Sequence, residues 1–197
     1  MMITFSLSQY KRGTKSVCFL LVALLWDSGF VLTIKRGNTA AHVNLAAFHR
    51  LPYRCNVDGF NDWFKVDKYC VKYFWKPLNF TDAEYSCRRT VPGGHLVSVH
   101  NFRANNDLLS IVRKMNPTNL RIWLGAYELF QSGKFLWTDG SFWDYAVWVP
   151  GEPSNMYSNR EECVEMNWNV IGKWNDHACN NRKGYICAFK RKRIMDE

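Results

Sequence analysis

Six cysteines constrain this chain more than any other feature. Cys55, Cys70, Cys87, Cys163, Cys179 and Cys187 follow a seventh, Cys18, which lies in an apolar stretch. Lys11, Arg12 and Lys15 precede ten apolar residues from Val17 to Trp26, the pattern of a secretory signal peptide. Val17 to Ile34 also reads as a signal anchor, although Asp27 within it would cost about 2.5–3.5 kcal/mol at mid-membrane. Either reading sends the following segment into an oxidising compartment, where an even cysteine set reads as three disulfides. Six cysteines allow about fifteen connectivities. No Cys-x-x-Cys occurs, which argues against a zinc ribbon or a thioredoxin-like site.

Charge narrows the function classes. The net charge of +9 invites a nucleic-acid reading, but Cys55 to Phe189 holds 15 Lys and Arg against 14 Asp and Glu. The excess sits at the ends, in Lys35-Arg36 and in Lys190-Arg191-Lys192-Arg193. A nucleic-acid module carries its basic stripe on the folded body, so no nucleic-acid partner is expected. Nine Trp and thirteen Phe supply enough apolar surface to offset the entropy of ordering, which excludes a disordered chain. No Gly-x-Ser-x-Gly, P-loop, Rossmann glycine pattern or His-Glu-x-x-His is present, so no enzyme is predicted.

Periodicity organises the body as α+β. Lys68 to Trp75 is rich in strand formers, and Pro77 is expected to end that strand. Thr81-Asp82-Ala83-Glu84 fits a capping box, so a helix is expected from Asp82 with Thr81 as its cap. Leu108, Leu109, Val112 and Met115 recur at helical spacing between Asn101 and Pro117. Short strands are expected at His95–Val99, Arg121–Ala126, Lys134–Trp137, Cys163–Met166, Lys173–Trp174 and Gly184–Phe189. Between Thr138 and Glu162 periodicity disappears, while Phe142, Trp143, Tyr145 and Trp148 argue for order. Asp139, Asp144, Glu152, Glu161 and Glu162 gather in that stretch, and clustered hard oxygen ligands on irregular backbone suit calcium.

From Cys55 to Phe189 the sequence resembles the C-type lectin-like domain. The landmarks run in order: Cys70 before an aromatic strand, Ala83 and Cys87, Gly94-His95-Leu96-Val97-Ser98, and Ile122-Trp123-Leu124-Gly125. Trp137-Thr138-Asp139-Gly140, Trp148, Gly151-Glu152-Pro153, Cys163-Val164, Trp174-Asn175-Asp176, Cys179 and Ile186-Cys187 follow. The overall flavour is similar to small secreted fish-type lectins. The resemblance implies two helices, short antiparallel sheets and a long irregular binding loop. It also implies disulfides Cys87–Cys187 and Cys163–Cys179, with Cys55–Cys70 marking the long form. Residues 1–41 then read as signal peptide or anchor with extension, 42–54 as a linker, 55–189 as the domain and 190–197 as a basic tail.

The same resemblance implies one calcium held by Glu152, Ser154, Glu161, Asn175 and Asp176, with vicinal sugar hydroxyls completing its shell. These five positions are therefore both the metal and the sugar-binding candidates. Ser154 departs from the family pattern, where mannose-type members carry Asn and galactose-type members Asp; Glu152 tilts the expectation toward mannose. A second calcium site is considered at Glu128, Asn155, Glu161 and Glu162, with Ser132 where another acid is expected. The Trp residues read as core, although Trp148 adjoins the site. The expected partners are glycans on cell surfaces or microbes, and the expected location is extracellular. The rivals are an ion-independent interaction or toxin-like module and a membrane-anchored receptor. Asn79-Phe80-Thr81 is a glycosylation sequon, with Asn79 as acceptor.

Overall fold

The computed structural model describes residues 50–118, 120–154 and 160–191, with the backbone of three strands nearer the amino terminus. The chain divides into two compact units, Met1–Arg50 and Leu51–Glu197. In the first, β1 (Leu21–Trp26), β2 (Gly29–Arg36) and β3 (Thr39–Asn44) form an antiparallel sheet with β2 central. Lys11, Arg12, Lys15 and the start of the apolar run lie outside the described residues. Among the described residues no helix is long and apolar enough to cross a membrane.

The second unit is built on one sheet. Its path runs β10 (Trp174–Ala178), β9 (Glu161–Met166), β7 (Ile122–Glu128), β11 (Lys183–Lys190), β5 (Tyr69–Leu78) and β4 (Phe64–Val66). β6 (His95–Leu96) pairs with β11, and β8 (Phe135–Trp137) with β7. The expectation of antiparallel sheets needs one correction: β7 and β11 run parallel, with Gly184 opposite Ile122 and Tyr185 opposite Trp123. Nor does Pro77 end its strand. The register shifts between Lys183 and Tyr185 where β11 passes this end of β5, so Pro77 sits at an irregularity that asks no N–H of it.

Two helices cover the sheet. α2 (Phe102–Met115) buries Ala104, Leu108, Ile111 and Val112 with Val71, Leu124 and Ile186, while Met115 is left exposed. α1 (Phe80–Thr90) buries Phe80, Ala83 and Cys87 with Cys70, Trp123 and Cys187. Neighbouring residues of β5, β7 and β11 thus divide between two cores, and strand side chains alternate between faces, so the sheet lies between the helices. The cap of α1 is Asn79, not Thr81: its side chain accepts from the Asp82 N–H at 2.8 Å. Glu84 does not turn back to close a capping box. It points inward and accepts from the Leu96 N–H (2.9 Å), Arg88 Nε (2.7 Å) and His95 Nδ1 (2.8 Å).

Three disulfides fasten this unit: Cys55–Cys70, Cys87–Cys187 and Cys163–Cys179, with sequence separations of 15, 100 and 16. In the chain-entropy account, closing a loop of about 100 residues contributes roughly 4.7 kcal/mol and one of about 15 roughly 3. Cys87–Cys187 ties α1 to the central strand. Cys163–Cys179 ties β9 to the end of β10, the pair that carries the candidate ligands.

Candidate functional site

Aromatic packing orders the segment that follows β8, from Trp143 to Trp148. Trp143 lies on Phe135 (ring centroids 5.3 Å) and Trp137 (4.9 Å), and Tyr145 and Trp148 meet Trp174 at 5.6 and 6.1 Å. Such pairs add about 0.5–1.5 kcal/mol each beyond the area they bury. Backbone bonds then fasten the loop: the Trp174 N–H donates to Val147 O (2.9 Å) and the Val149 N–H to Trp174 O (2.8 Å). Trp174 opens β10, so this contact brings Glu152 toward the neighbours Asn175 and Asp176. The Glu152–Pro153 peptide is cis. The Ser154 N–H donates to Asp176 Oδ1 (3.1 Å), and Ser154 Oγ donates to Glu161 Oε2 (3.4 Å).

The structure therefore brings Ser154, Glu161 and Asp176 into direct contact, with Glu152 beside them. Burial raises the Glu152 carboxyl above its ordinary range, and the charge of Asp176 adds to this while Ser154 opposes it. Burial likewise raises Glu161, with the charges of Asp176 and Glu152 adding to it. The reason is elementary: carboxylates moved out of water beside one another disfavour further negative charge. Glu152 Oε2 is buried and has no hydrogen-bond partner among the described residues. Asn175 is a different case. Its Nδ2 donates to Glu165 Oε1 (3.1 Å), inside the sheet.

A hard divalent cation fits this donor set in its chemistry. Three carboxylates that repel one another and an orphaned buried oxygen on Glu152 call for positive charge, and oxygen is the donor calcium prefers. The set is not closed into a cage: among the described residues no group of three or more His, Cys, Asp and Glu is arranged to hold a metal. Two of the carboxylates hold Ser154 instead. At the second calcium position, Glu128 is buried and accepts from the Gly133 N–H (2.5 Å), and Glu162 accepts from Gln131 Nε2 (3.3 Å). Asn155 lies outside the described residues, and Ser132 donates to Leu129 O.

Two polar networks escaped the sequence reading. Glu165, fully buried on β9, accepts from Arg121 Nη2 (2.6 Å), Arg121 Nε (2.9 Å), Lys183 Nζ (3.3 Å) and Asn175. Its only signal was an acid two residues after Cys163 in an otherwise apolar strand. Elsewhere, Ser98 Oγ donates to Asp139 Oδ2 (2.6 Å), and His100 spans Ser98 Oγ (3.1 Å) and Asp144 Oδ1 (2.7 Å). His100, Asp139 and Asp144 line a cavity of about 490 Å³ that none of the five candidate ligands touches.

Known proteins resemble this chain in sequence and in fold. Residues 76–189 match the family model described as the lectin C-type domain. A protein of Pleurodeles waltl named "Lectin" is 35% identical over 139 residues, covering 71% of this chain and 80% of that protein. A "C-type lectin mannose-binding isoform" of Notechis scutatus scutatus is 34% identical over 131 residues, covering 66% of this chain and 82% of that protein. Among solved structures, a calcium-independent type II antifreeze protein superposes with a TM-score of 0.57 at 27% identity, over 65% of this chain and 91% of that one. The matched family and its curated relatives are lectins and not enzymes, in line with the absence of a nucleophile motif. Taking fold, cysteine framework and sequence match together, the chain belongs to the lectin C-type domain family.

Proposed function

We propose that this domain is a secreted, calcium-dependent lectin that takes mannose-type glycans on cell or microbial surfaces. The observation that carries the reading is the convergence of Glu161 and Asp176 on Ser154, beside Glu152 with its unpartnered buried oxygen. Glu152, Ser154, Glu161, Asn175 and Asp176 would hold the ion, which when bound supplies a positive anchor for two vicinal hydroxyls. The side chains do the rest: carboxylates of Glu152 and Glu161 accept from sugar hydroxyls, and the Ser154 hydroxyl both donates and accepts. The mannose-binding relative supports this choice of sugar. The test is calcium titration by calorimetry with and without mannose and galactose. Calcium binding that mannose tightens supports the reading; glycan binding that persists in chelator overturns it.

An ion-independent module is the second reading. Ser154 favours it, because its two hydrogen bonds satisfy Glu161 and Asp176 without a metal, and the calcium-independent antifreeze protein has the same fold. It predicts no rise in melting temperature with calcium, since only ligands of the native state stabilise. The leader and Asn79 belong to the same proposal. Amino-terminal sequencing of secreted material distinguishes cleavage from anchoring. A glycan on Asn79 would leave its Oδ1 free to go on capping α1.

A further inference from the structure

Asn175 is an amide, and an amide has two faces. Its oxygen can bind a cation and its nitrogen cannot, yet the two ends have nearly the same shape. Something must decide which end faces the ion. Glu165 stands directly opposite Asn175 across the β9–β10 ladder, and Asn175 Nδ2 donates to Glu165 Oε1 at 3.1 Å. A carboxylate offers only acceptors, so the amide can meet it through nitrogen alone. Glu165 is itself immobile: it is 0% exposed, gripped by both Arg121 nitrogens and reached by Lys183 at 3.3 Å. A lone buried charge is costly, and these two cations are what make this one tolerable.

We propose that Glu165 is a positioning residue which, locked by Arg121 and Lys183, turns the Asn175 carboxamide oxygen toward the cation site. The proposal rests on the calcium reading above. Its logic is a polarity code. In Glu165→Gln the amide oxygen can keep Arg121 Nε and Lys183 at the Oε2 position, which places its NH2 at the Oε1 position, facing residue 175 and losing the bond from Arg121 Nη2. Asn175 must then accept rather than donate, which turns its own nitrogen toward the ion. An Asp at 175 would accept from that NH2 and still offer an oxygen outward.

The experiment measures calcium by calorimetry on the full chain for the wild type, Glu165→Gln, Asn175→Asp, and the two changes together. Glu165→Gln is expected to weaken calcium about 10–100-fold, the usual effect of losing a group that orients a metal ligand. Asn175→Asp alone is expected to weaken it too, despite adding a negative charge, because two carboxylates then oppose each other. The double variant is expected to recover to within about tenfold of the wild type. A second readout needs no metal: the Asn175 side-chain amide resonances in chelator shift in Glu165→Gln. Wild type that binds no calcium overturns the calcium reading itself. Wild type that binds, with Glu165→Gln equal to it or Asn175→Asp tighter than it, overturns only the positioning role. Should Glu165→Gln not fold, the Asn175→Asp result alone decides.

Discussion

Glu84 and Glu152 are both acids drawn out of water, and their surroundings treat them in opposite ways. Burial would raise the Glu84 carboxyl, but donors from Leu96, Arg88 and His95 more than offset it and hold the group below its ordinary value. Burial raises Glu152 as well, and although Ser154 opposes this, Asp176 pushes the same way and the group stays above its ordinary value. One carboxylate is completed by the protein; the other stands beside Asp176 and Ser154 and keeps one oxygen, Oε2, without a partner among the described residues. The contrast separates an acid satisfied within the fold from one that the proposed calcium reading would complete, and burial alone would not have told them apart.

The comparison breaks most decisively at the loop. Glu161→Gln with Asp176→Asn should lower calcium affinity by more than about 100-fold, beyond what loss of a merely orienting group does. The calcium-free melting temperature should hold or rise, because mutual repulsion is removed. Normal calcium binding by that variant, read by calorimetry, would remove the distinction between the two acids. Glu84→Gln should do the converse: it costs about 2 kcal/mol in chemical denaturation, in the range for hydrogen bonds to a charged group, and leaves calcium affinity unchanged. Ser154→Asn should tighten calcium or mannose binding about 3- to 10-fold, worth up to about 1.4 kcal/mol, by adding an amide oxygen where a short hydroxyl stands.

Acid titration gives the finest test, because the two centres have opposite signs. Glu84 is depressed below 4.5, so its contribution is fully present above that pH and is lost as the pH falls through its folded-state value. Glu152 and Glu161 are raised above 4.5, so the folded state holds their protons more tightly. Burial holds His177 below its ordinary value, which lowers stability over the same range, so the test is differential. In chelator, relative to Glu152→Gln with Glu161→Gln, the wild type should gain melting temperature as the pH falls from neutrality toward about 4.5, and below that both should drop as Glu84 takes up its proton. Excess calcium should remove the rise, because protons then compete with the ion. A difference between wild type and that variant that does not change with pH would mean that Glu152 and Glu161 do not repel one another.

Much of this was legible in the residues. Leu108 and Val112 revealed α2 by spacing, and the aromatic content after Thr138 pointed to the packed segment that carries Trp143, Tyr145 and Trp148, although β9 begins at Glu161, inside the stretch expected to be irregular. What stayed hidden depends on partners distant in the chain. Asn79 and Thr81 are both good caps, and the choice turned on Glu84, which Leu96 and His95 draw into the core. The parallel pairing of β7 with β11 leaves no local mark. β4, three residues long, is too short for a period to show. The burial of Glu165 within the expected strand Cys163–Met166 depends on Arg121 and Lys183, which are distant in the chain.

β11 also has a consequence for how the domain comes into being. It is the domain's final strand in chain order, yet it occupies the middle of the sheet, touching β5, β6 and β7 and supplying Cys187. A ribosome releases it after everything it must join. Until Lys183–Lys190 emerges, the sheet lacks its central strand and Cys87 has no mate. Assembly of the domain thus waits for this strand, and a nonsense codon a few positions before Lys183 would remove the centre of the sheet instead of trimming an edge.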